Sequence, residues 1–295
     1  MRLYTIEVSG KELAALELCD GKLYPVTDLG FPYNTMLELI RCGKEEDLAK
    51  LRDLAASEAV PGELEGKGFD KAAVVICSPI PEPDQDIVCL GLNYNEHILE
   101  TTHVEDFREK EATVYFAKRA ARISGPSDII PAYSFVDTLD YEVELAVILG
   151  RTIKNYSKEE GDGCIFGYAV FNDVSARTLQ FRHKQWYVGK SLDGYSVMGP
   201  CIVTADEIGD PQDLAIKCYV NDELRQSSNT KYMIQPVLDA IEEFSQGITM
   251  KAGTIIATGT PGGVAVGMEN PKYLQSGDTV RCEIEKIGAI CNRVG

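Results

Sequence analysis

Short stretches of alternating apolar and polar residues open the chain, and a segment with helical spacing follows them. The alternation runs over residues 3–8 and 13–18, with Gly and Asp nearby, and predicts hairpin strands. Residues 35–56 carry apolar side chains at helical intervals and predict an amphipathic helix that is broken near Gly43. The first part of the chain is therefore expected to combine strands and helix.

A proline-rich segment at residues 79–84 separates this part from the rest, because clustered prolines block both helix and sheet pairing. We place the domain boundary there and expect a small N-terminal α+β domain over residues 1–80 and a larger domain over 87–295. In the larger part, helix is predicted chiefly at 233–245. Strands are predicted at 87–90, 141–149, 164–171, 214–220, 254–258 and 280–284. The fold class is thus α+β and β-rich.

Composition and charge exclude several functions. The chain has 295 residues, and 29 Lys and Arg against 46 Asp and Glu give a net charge of −17. Such a surface repels nucleic acid and anionic membranes, and the apolar runs fall short of the ~20 residues of a membrane span. The nine cysteines form an odd, scattered set without a CxxC pair. We therefore expect a cytoplasmic protein that binds neither nucleic acid nor a membrane.

Three acidic residues at strand ends suggest a metal site. Glu142 and Glu144 begin an apolar strand two residues apart, so they share a face with Cα atoms about 6.6 to 7 Å apart. Asp173 ends another apolar strand. The alternatives are two solvated glutamates at a sheet edge and a helix N-cap at Asp173. With only three histidines available, any metal would rest mainly on oxygen ligands, which favours Mg²⁺, Mn²⁺ or Ca²⁺.

His97 and Glu100 follow a predicted strand and lie three residues apart, so a helical turn would place them on one side. A carboxylate in this position orients an imidazole and raises its basicity, as in an acid-base pair that activates water. A chance pair on a solvated helix is an equally good interpretation of the spacing alone.

Three donors follow Asp173 along the chain: Arg177, Gln180 and Lys190. A guanidinium, an amide and an ammonium near a metal suit an oxyanion or a carboxylate, although most Lys and Arg are ordinary surface residues. Residues 258–264 read as a tight turn that presents hydroxyls and amides, including Thr260.

Five ordered motifs in residues 87–295 resemble the fumarylacetoacetate hydrolase family. They are Gly91-Leu92-Asn93-Tyr94 followed by His97 and Glu100, Tyr141-Glu142-Val143-Glu144-Leu145, the stretch from Asn172 to Gln180, Gly189-Lys190-Ser191-Leu192-Asp193 and Thr258-Gly259-Thr260-Pro261. The resemblance implies a mixed β-roll, a homodimer built through the larger domain, and a lid that carries His97 and Glu100.

The same resemblance implies a role for each candidate residue. Mg²⁺ or Mn²⁺ would be held by Glu142, Glu144 and Asp173, and the dyad of His97 and Glu100 would activate water. Lys190 and Gln180 would stabilise developing negative charge. Arg177 and Thr260 would contact a carboxylate or carbonyl of a small keto-acid substrate.

Two reactions fit these roles. The leading hypothesis is a divalent-metal-dependent hydrolase that cleaves a carbon-carbon bond in a small β-diketo acid of the acylpyruvate or fumarylacetoacetate type. The alternative uses the same electron sink for oxaloacetate decarboxylation or tautomerisation, or for isomerisation of 2-hydroxyhepta-2,4-diene-1,7-dioate. Leu92 stands where the acylpyruvate branch usually has Arg, and residues 180–187 resemble the branch of the alternative reactions. A non-enzymatic protein with a structural cation is the third hypothesis, but it has no need of the dyad.

Overall fold

The protein forms a mixed β structure with short helices in this computed structural model, which describes residues 1–101 and 112–295. The strands are β1 (Arg2–Val8), β2 (Lys11–Glu17), β3 (Leu23–Pro25), β4 (Val75–Cys77), β5 (Ile87–Gly91), β6 (Val114–Lys118), β7 (Leu139–Asp140), β8 (Val143–Leu149), β9 (Ile165–Asp173), β10 (Ser175–Ala176), β11 (Ser196–Thr204), β12 (Ala215–Val220), β13 (Glu223–Asn229), β14 (Ile255–Ala257), β15 (Thr279–Ile284) and β16 (Gly288–Arg293). The α-helices are α1 (Met36–Cys42), α2 (Glu45–Ala56), α3 (Asn95–Glu100), α4 (Arg177–Arg182), α5 (Tyr187–Lys190), α6 (Ala205–Ile208) and α7 (Val237–Ser245).

Two main sheets build the fold. The larger sheet has ten strands in the order β3-β2-β1-β11-β9-β8-β14-β5-β6, with β4 also paired to β1. Strands β8 and β9 are antiparallel, whereas β14 and β5 run parallel, so this sheet is mixed. The second sheet has the order β13-β12-β15-β16, and β7 pairs with β10. The predicted β-rich α+β class and mixed β architecture are confirmed.

Strand β8 is buried along its whole length because it is covered on both faces. Leu145 and Val147 point into the core shared with the second sheet. Ala146 and Ile148 point into the core that also contains the apolar residues of α1 and α2. Glu142 and Glu144 precede Ala146 and Ile148 at steps of two residues, so all four side chains lie on the same face of the strand. Farther along β8, this face is covered by the helices.

The predicted helix break near Gly43 is confirmed, because α1 ends at Cys42 and α2 begins at Glu45. Gly43 leaves the helical conformation with a ψ of 118°, and a β-carbon there would lie 2.3 Å from the carbonyl oxygen of Leu39. Helix α1 begins after Thr35, whose hydroxyl accepts from the Glu38 amide while the Glu38 carboxylate accepts from the Thr35 amide. This reciprocal capping box defines the start of α1.

The predicted strands are present, with ends shifted by one to a few residues. Among the described residues, eight further strands were not predicted: β3, β4, β6, β7, β10, β11, β13 and β16. The linker at residues 79–84 does lie outside helix and strand, between β4 and β5. Strand β1 nevertheless pairs with β11, so the first 80 residues extend the sheet of the larger part. The division into two domains stays a prediction.

Within residues 1–101 and 112–295, no helix is long and apolar enough to cross a membrane.

Candidate active site

The three predicted metal ligands meet at one end of the β8–β9 pair. Glu142 and Glu144 flank Val143, which pairs with Asn172, the neighbour of Asp173. One carboxylate oxygen from each acid lies within 4.8 Å of the others, and all three residues are buried. The alternatives of solvated glutamates and an N-cap are wrong, because the glutamates are buried and the cap residue of α4 is Ala176.

Three cationic side chains surround this acidic triad, which we define as Glu142, Glu144 and Asp173. The Lys190 Nζ donates to Glu142 Oε2 at 2.6 Å and to Asp173 Oδ2 at 2.9 Å. The Arg177 Nη1 lies 2.7 Å from Glu142 Oε1, and Lys118 donates to Asp173 Oδ1. Glu144 instead accepts from the Gly259 amide at 2.9 Å.

The pKa values of the two glutamates move in opposite directions. Burial disfavours the charged form of Glu142, but the cations Lys190 and Arg177 outweigh it and lower its pKa to about 2. Burial, together with the nearby charges of Asp173 and Glu142, raises the pKa of Glu144 well above its usual value. Glu144 is therefore the member of the triad whose negative charge is least compensated by protein groups.

The predicted dyad is present on α3. The Glu100 Oε1 lies 3.0 Å from the His97 Nδ1, and His97 is buried. The other carboxylate oxygen of Glu100 accepts from the Gly263 amide at 2.7 Å. Its carboxylate is thus fixed between the imidazole and a backbone amide, which is the geometry of an oriented acid-base pair.

The turn at residues 258–264 contacts both the triad and the dyad through its backbone amides. Gly259 donates to Glu144 and adopts a φ of +90°, a region that favours glycine. The Thr260 hydroxyl donates to Val143 O at 2.9 Å and accepts from Gln226 Nε2 at 2.8 Å. Gln226 also accepts from the Val143 amide, so it fastens the turn to β8.

Arg177 is held by a carboxylate that the sequence analysis missed. Asp140 is fully buried and accepts from the Arg177 Nε at 2.9 Å. It also accepts from the amides of Tyr141, Ala265 and Val266 at 2.9 to 3.0 Å. In this structure Arg177 is therefore a partner of acidic side chains, and its contact with substrate stays a prediction.

A cavity beside the triad brings most of the predicted residues together. Its polar lining consists of His97, Glu142, Glu144, Gln180, Lys190 and Thr260, and its apolar lining includes Leu92, Phe116 and Trp186. Asp173 lies behind this lining and accepts a hydrogen bond from Lys190, which is part of the lining. The cavity thus has an acidic wall, cationic and amide donors, and the imidazole of the dyad within one small space.

The triad fits a hard divalent cation on the chemistry of its donors. All of its candidate ligand atoms are carboxylate oxygens, which Mg²⁺, Mn²⁺ and Ca²⁺ prefer. A dication would also supply the positive charge that Glu144 lacks. Three protein ligands leave positions for water and substrate, as a catalytic site requires.

Two buried charged residues, Lys118 and Asp140, and the polar Gln226 take part in this site without having been predicted. Asp140 directly precedes the Tyr141-Glu142-Val143-Glu144 motif, so its position was a usable signal. Lys118 and Gln226 offered none, because a single Lys or Gln is most often a surface residue.

Comparison with known proteins identifies relatives of similar length. The chain is 41% identical over 261 residues to the oxaloacetate tautomerase YisK of Bacillus subtilis, covering 87% of this chain and 86% of the relative. It is 39% identical over 261 residues to the mitochondrial oxaloacetate tautomerase Fahd2a of Rattus norvegicus, covering 88% and 79%.

Solved structures share the whole fold. A fumarylacetoacetate hydrolase from Exiguobacterium antarcticum superimposes with a TM-score of 0.82 at 36% identity, covering 100% of this chain and 99% of that one. A maleylpyruvate hydrolase from Sphingobium sp. SYK-6 in complex with manganese(II) ion and pyruvate gives a TM-score of 0.74 at 28% identity, covering 100% and 98%. Residues 86–295 match the family described as Fumarylacetoacetate (FAA) hydrolase C-terminal. The chain belongs to the fumarylacetoacetate hydrolase family.

Proposed function

We propose that this protein is a divalent-cation-dependent tautomerase that interconverts the keto and enol forms of a short oxo-dicarboxylate such as oxaloacetate. The observation that carries the proposal is the buried acidic triad, two of whose members, Glu142 and Glu144, line the same cavity as His97 of the dyad. The two oxaloacetate tautomerases that resemble this chain over most of its length support this reaction over carbon-carbon hydrolysis. The proposed ion is Mg²⁺ or Mn²⁺, held by Glu142, Glu144 and Asp173.

The cation would supply Lewis-acid stabilisation of the negative charge that develops on the keto oxygen. The side chains do the rest. Lys190 and Gln180 line the cavity and donate to the developing oxyanion. His97 takes a proton from the carbon next to the keto group on its Nε2 and passes it to the keto oxygen, which gives the enol, while Glu100 holds Nδ1.

The apolar part of the lining has a role in selectivity. Leu92, Phe116 and Trp186 limit the water that reaches the reacting carbon. With little water present, return of the proton is favoured over hydrolytic cleavage. This wall is therefore consistent with a tautomerase that leaves the carbon skeleton intact.

The test follows the loss of the enol absorbance of freshly dissolved oxaloacetate, with Mn²⁺ or Mg²⁺ and after removal of metal by a chelator. We expect turnover only with metal. Asp173→Asn should lower kcat by at least about 100-fold and weaken Mn²⁺ binding in calorimetry, because it removes an anionic ligand. Asp162→Asn, at an exposed position, is the matched control. Metal-independent turnover by the wild-type protein would refute the proposal.

The carbon-carbon hydrolase remains the second candidate because the dyad is also suited to activating water. A buried imidazole fixed by a carboxylate is the arrangement that hydrolysis of a β-diketo acid needs. The two functions are separated by incubating the metal-loaded protein with an acylpyruvate and measuring released pyruvate. Release faster than oxaloacetate tautomerisation would favour the hydrolase.

The homodimer implied by the family resemblance is a proposal as well. Exposed apolar side chains such as Ile129 and Phe135 offer surface for such a contact. A mass measurement by light scattering tests it, and a monomer across the working concentration range would refute it.

A further inference from the structure

Lys118 is a fully buried ammonium beside the triad that the proposed reaction does not use. It is the last residue of β6, with a relative exposure of 0%. Its Nζ donates to Asp173 Oδ1, to Tyr195 O at 2.6 Å and to Val174 O at 3.2 Å. An ammonium has three N–H donors, so these contacts engage all of them. Lys118 therefore has a fixed position and no donor left for a substrate.

The second lysine of the site differs in this respect. Lys190 lines the cavity and contacts Glu142 and Asp173 from within it, whereas Lys118 is absent from the cavity lining. Asp173 is thus held from two sides, by Lys118 on Oδ1 behind the cavity and by Lys190 on Oδ2. Only Lys190 is placed to exchange its contact for one with substrate.

We infer that Lys118 is a positioning residue that orients Asp173 and, through its charge, makes this carboxylate a weaker donor to a bound cation. The inference rests on the proposed metal site. A carboxylate whose second oxygen is bound to an ammonium gives less electron density to a cation. The bound ion keeps more of its electron-accepting power and is also held less tightly.

This arrangement predicts two effects of opposite sign, which a merely structural lysine does not produce. Removing the Lys118 charge should tighten cation binding, because the triad then carries more uncompensated negative charge. It should also slow the reaction, because a cation with stronger donors stabilises developing negative charge less well. Loss of packing alone would weaken both properties together.

The experiment measures the Kd of Mn²⁺ by calorimetry and kcat for oxaloacetate in the wild type, Lys118→Met and Lys118→Gln. Met keeps the length of the side chain, and Gln keeps N–H donors for the two carbonyls, so one can fold if the other fails. Arg119→Met is the matched control, since it removes a positive charge from the neighbouring exposed residue.

We expect the Kd to fall by at least about fivefold and kcat to fall by at least about tenfold in both variants of Lys118. The control should change neither by more than about twofold, because an exposed charge is screened by solvent. An unchanged Kd, or a Kd that rises while kcat falls, would overturn the inference.

The affinity measurement separates this inference from the proposed function. If the wild type binds Mn²⁺ and the Lys118 variants bind it more tightly, but the wild type does not tautomerise oxaloacetate, the proposed reaction is refuted while the effect of Lys118 on cation binding is supported. A wild-type chain that binds no Mn²⁺ would overturn both.

Discussion

A single methyl group at Gly267 should detach the dyad from its anchor. The ideal β-carbon of an alanine there would lie 2.7 Å from both Cγ and Cδ of Glu100. Carbon atoms pack at about 3.5 to 4.0 Å, so the Glu100 side chain must move by roughly 1 Å. The backbone of Gly267 does not have a positive φ, so alanine introduces this clash without backbone strain.

The displacement breaks specific contacts. The Glu100 carboxylate would leave the Gly263 amide, now at 2.7 Å, and the His97 Nδ1, now at 3.0 Å. A hydrogen bond to a charged group contributes about 1.5 to 3 kcal/mol, so we expect a modest loss of stability. Loss of an oriented acid-base pair costs about 10²- to 10⁴-fold in rate, so kcat should fall far more than the melting temperature.

The assay compares kcat for oxaloacetate tautomerisation and the melting temperature in Gly267→Ala, Gly163→Ala and the wild type. Gly163 has no atom within 4 Å of an added β-carbon and should behave as wild type. In a Glu100→Ala background, Gly267→Ala should cost no further activity, because the side chain it displaces is gone. A Gly267→Ala variant with kcat within about twofold of the wild type would show that the position of Glu100 does not matter to the rate.

Three other predictions concern the buried acids in the metal-free protein. Glu144→Gln should raise the melting temperature by about 2 to 4 °C per kcal/mol gained, because it replaces a carboxyl group whose pKa is raised by burial and acidic neighbours. The same variant should bind Mn²⁺ more weakly in calorimetry. The pKa of Glu142 is lower in the folded protein than its unfolded value of 4.5, so its charged form contributes stability above pH 4.5. About 3 kcal/mol of the free energy of unfolding should be lost in urea titrations as the pH falls from 4.5 towards about 2, and this loss should be absent in Glu142→Gln. Asp140→Asn should destabilise the protein by about 3 to 5 kcal/mol in the same titrations, because it breaks the buried pair with Arg177; a loss below about 1 kcal/mol would contradict this.

The sequence predicted the acidic triad because local geometry determines it. Two acids at i and i+2 on a strand share a face whatever the rest of the fold does, and Asp173 at the end of an apolar strand needed only one antiparallel pairing to join them. His97 and Glu100 met for the analogous reason on a helical turn.

The missed strands lack the local pattern on which the predictions depend. Strand β11 contains Gly199 and Pro200 and shifts its register between Gly199 and Val203, so it does not read as a regular strand. Strand β13 carries mostly polar residues, because much of it is exposed. These strands are stabilised by their neighbours in the sheets, which no short window of sequence contains.

Lys118 and Asp140 were missed for a related reason. Lys118 is 55 residues from Asp173, and the contact between them depends on the packing of β6 beside the ends of β9 and β11. Asp140 was visible as an acid, but its partners Ala265 and Val266 belong to a short 3₁₀ helix 125 and 126 residues away. Charge pairing over such distances is a property of the finished fold.

The pairing of β1 with β11 limits how this enzyme can be shortened. A fragment beginning at residue 86 would match the family region, yet it would remove every residue of β1 and leave the outer backbone groups of β11 without their strand partner. Unpaired strand edges of this kind recruit other chains. Truncation at the proline-rich linker is therefore expected to yield self-associating material, and exchange of the N-terminal segment between homologues would have to preserve its complementarity to β11.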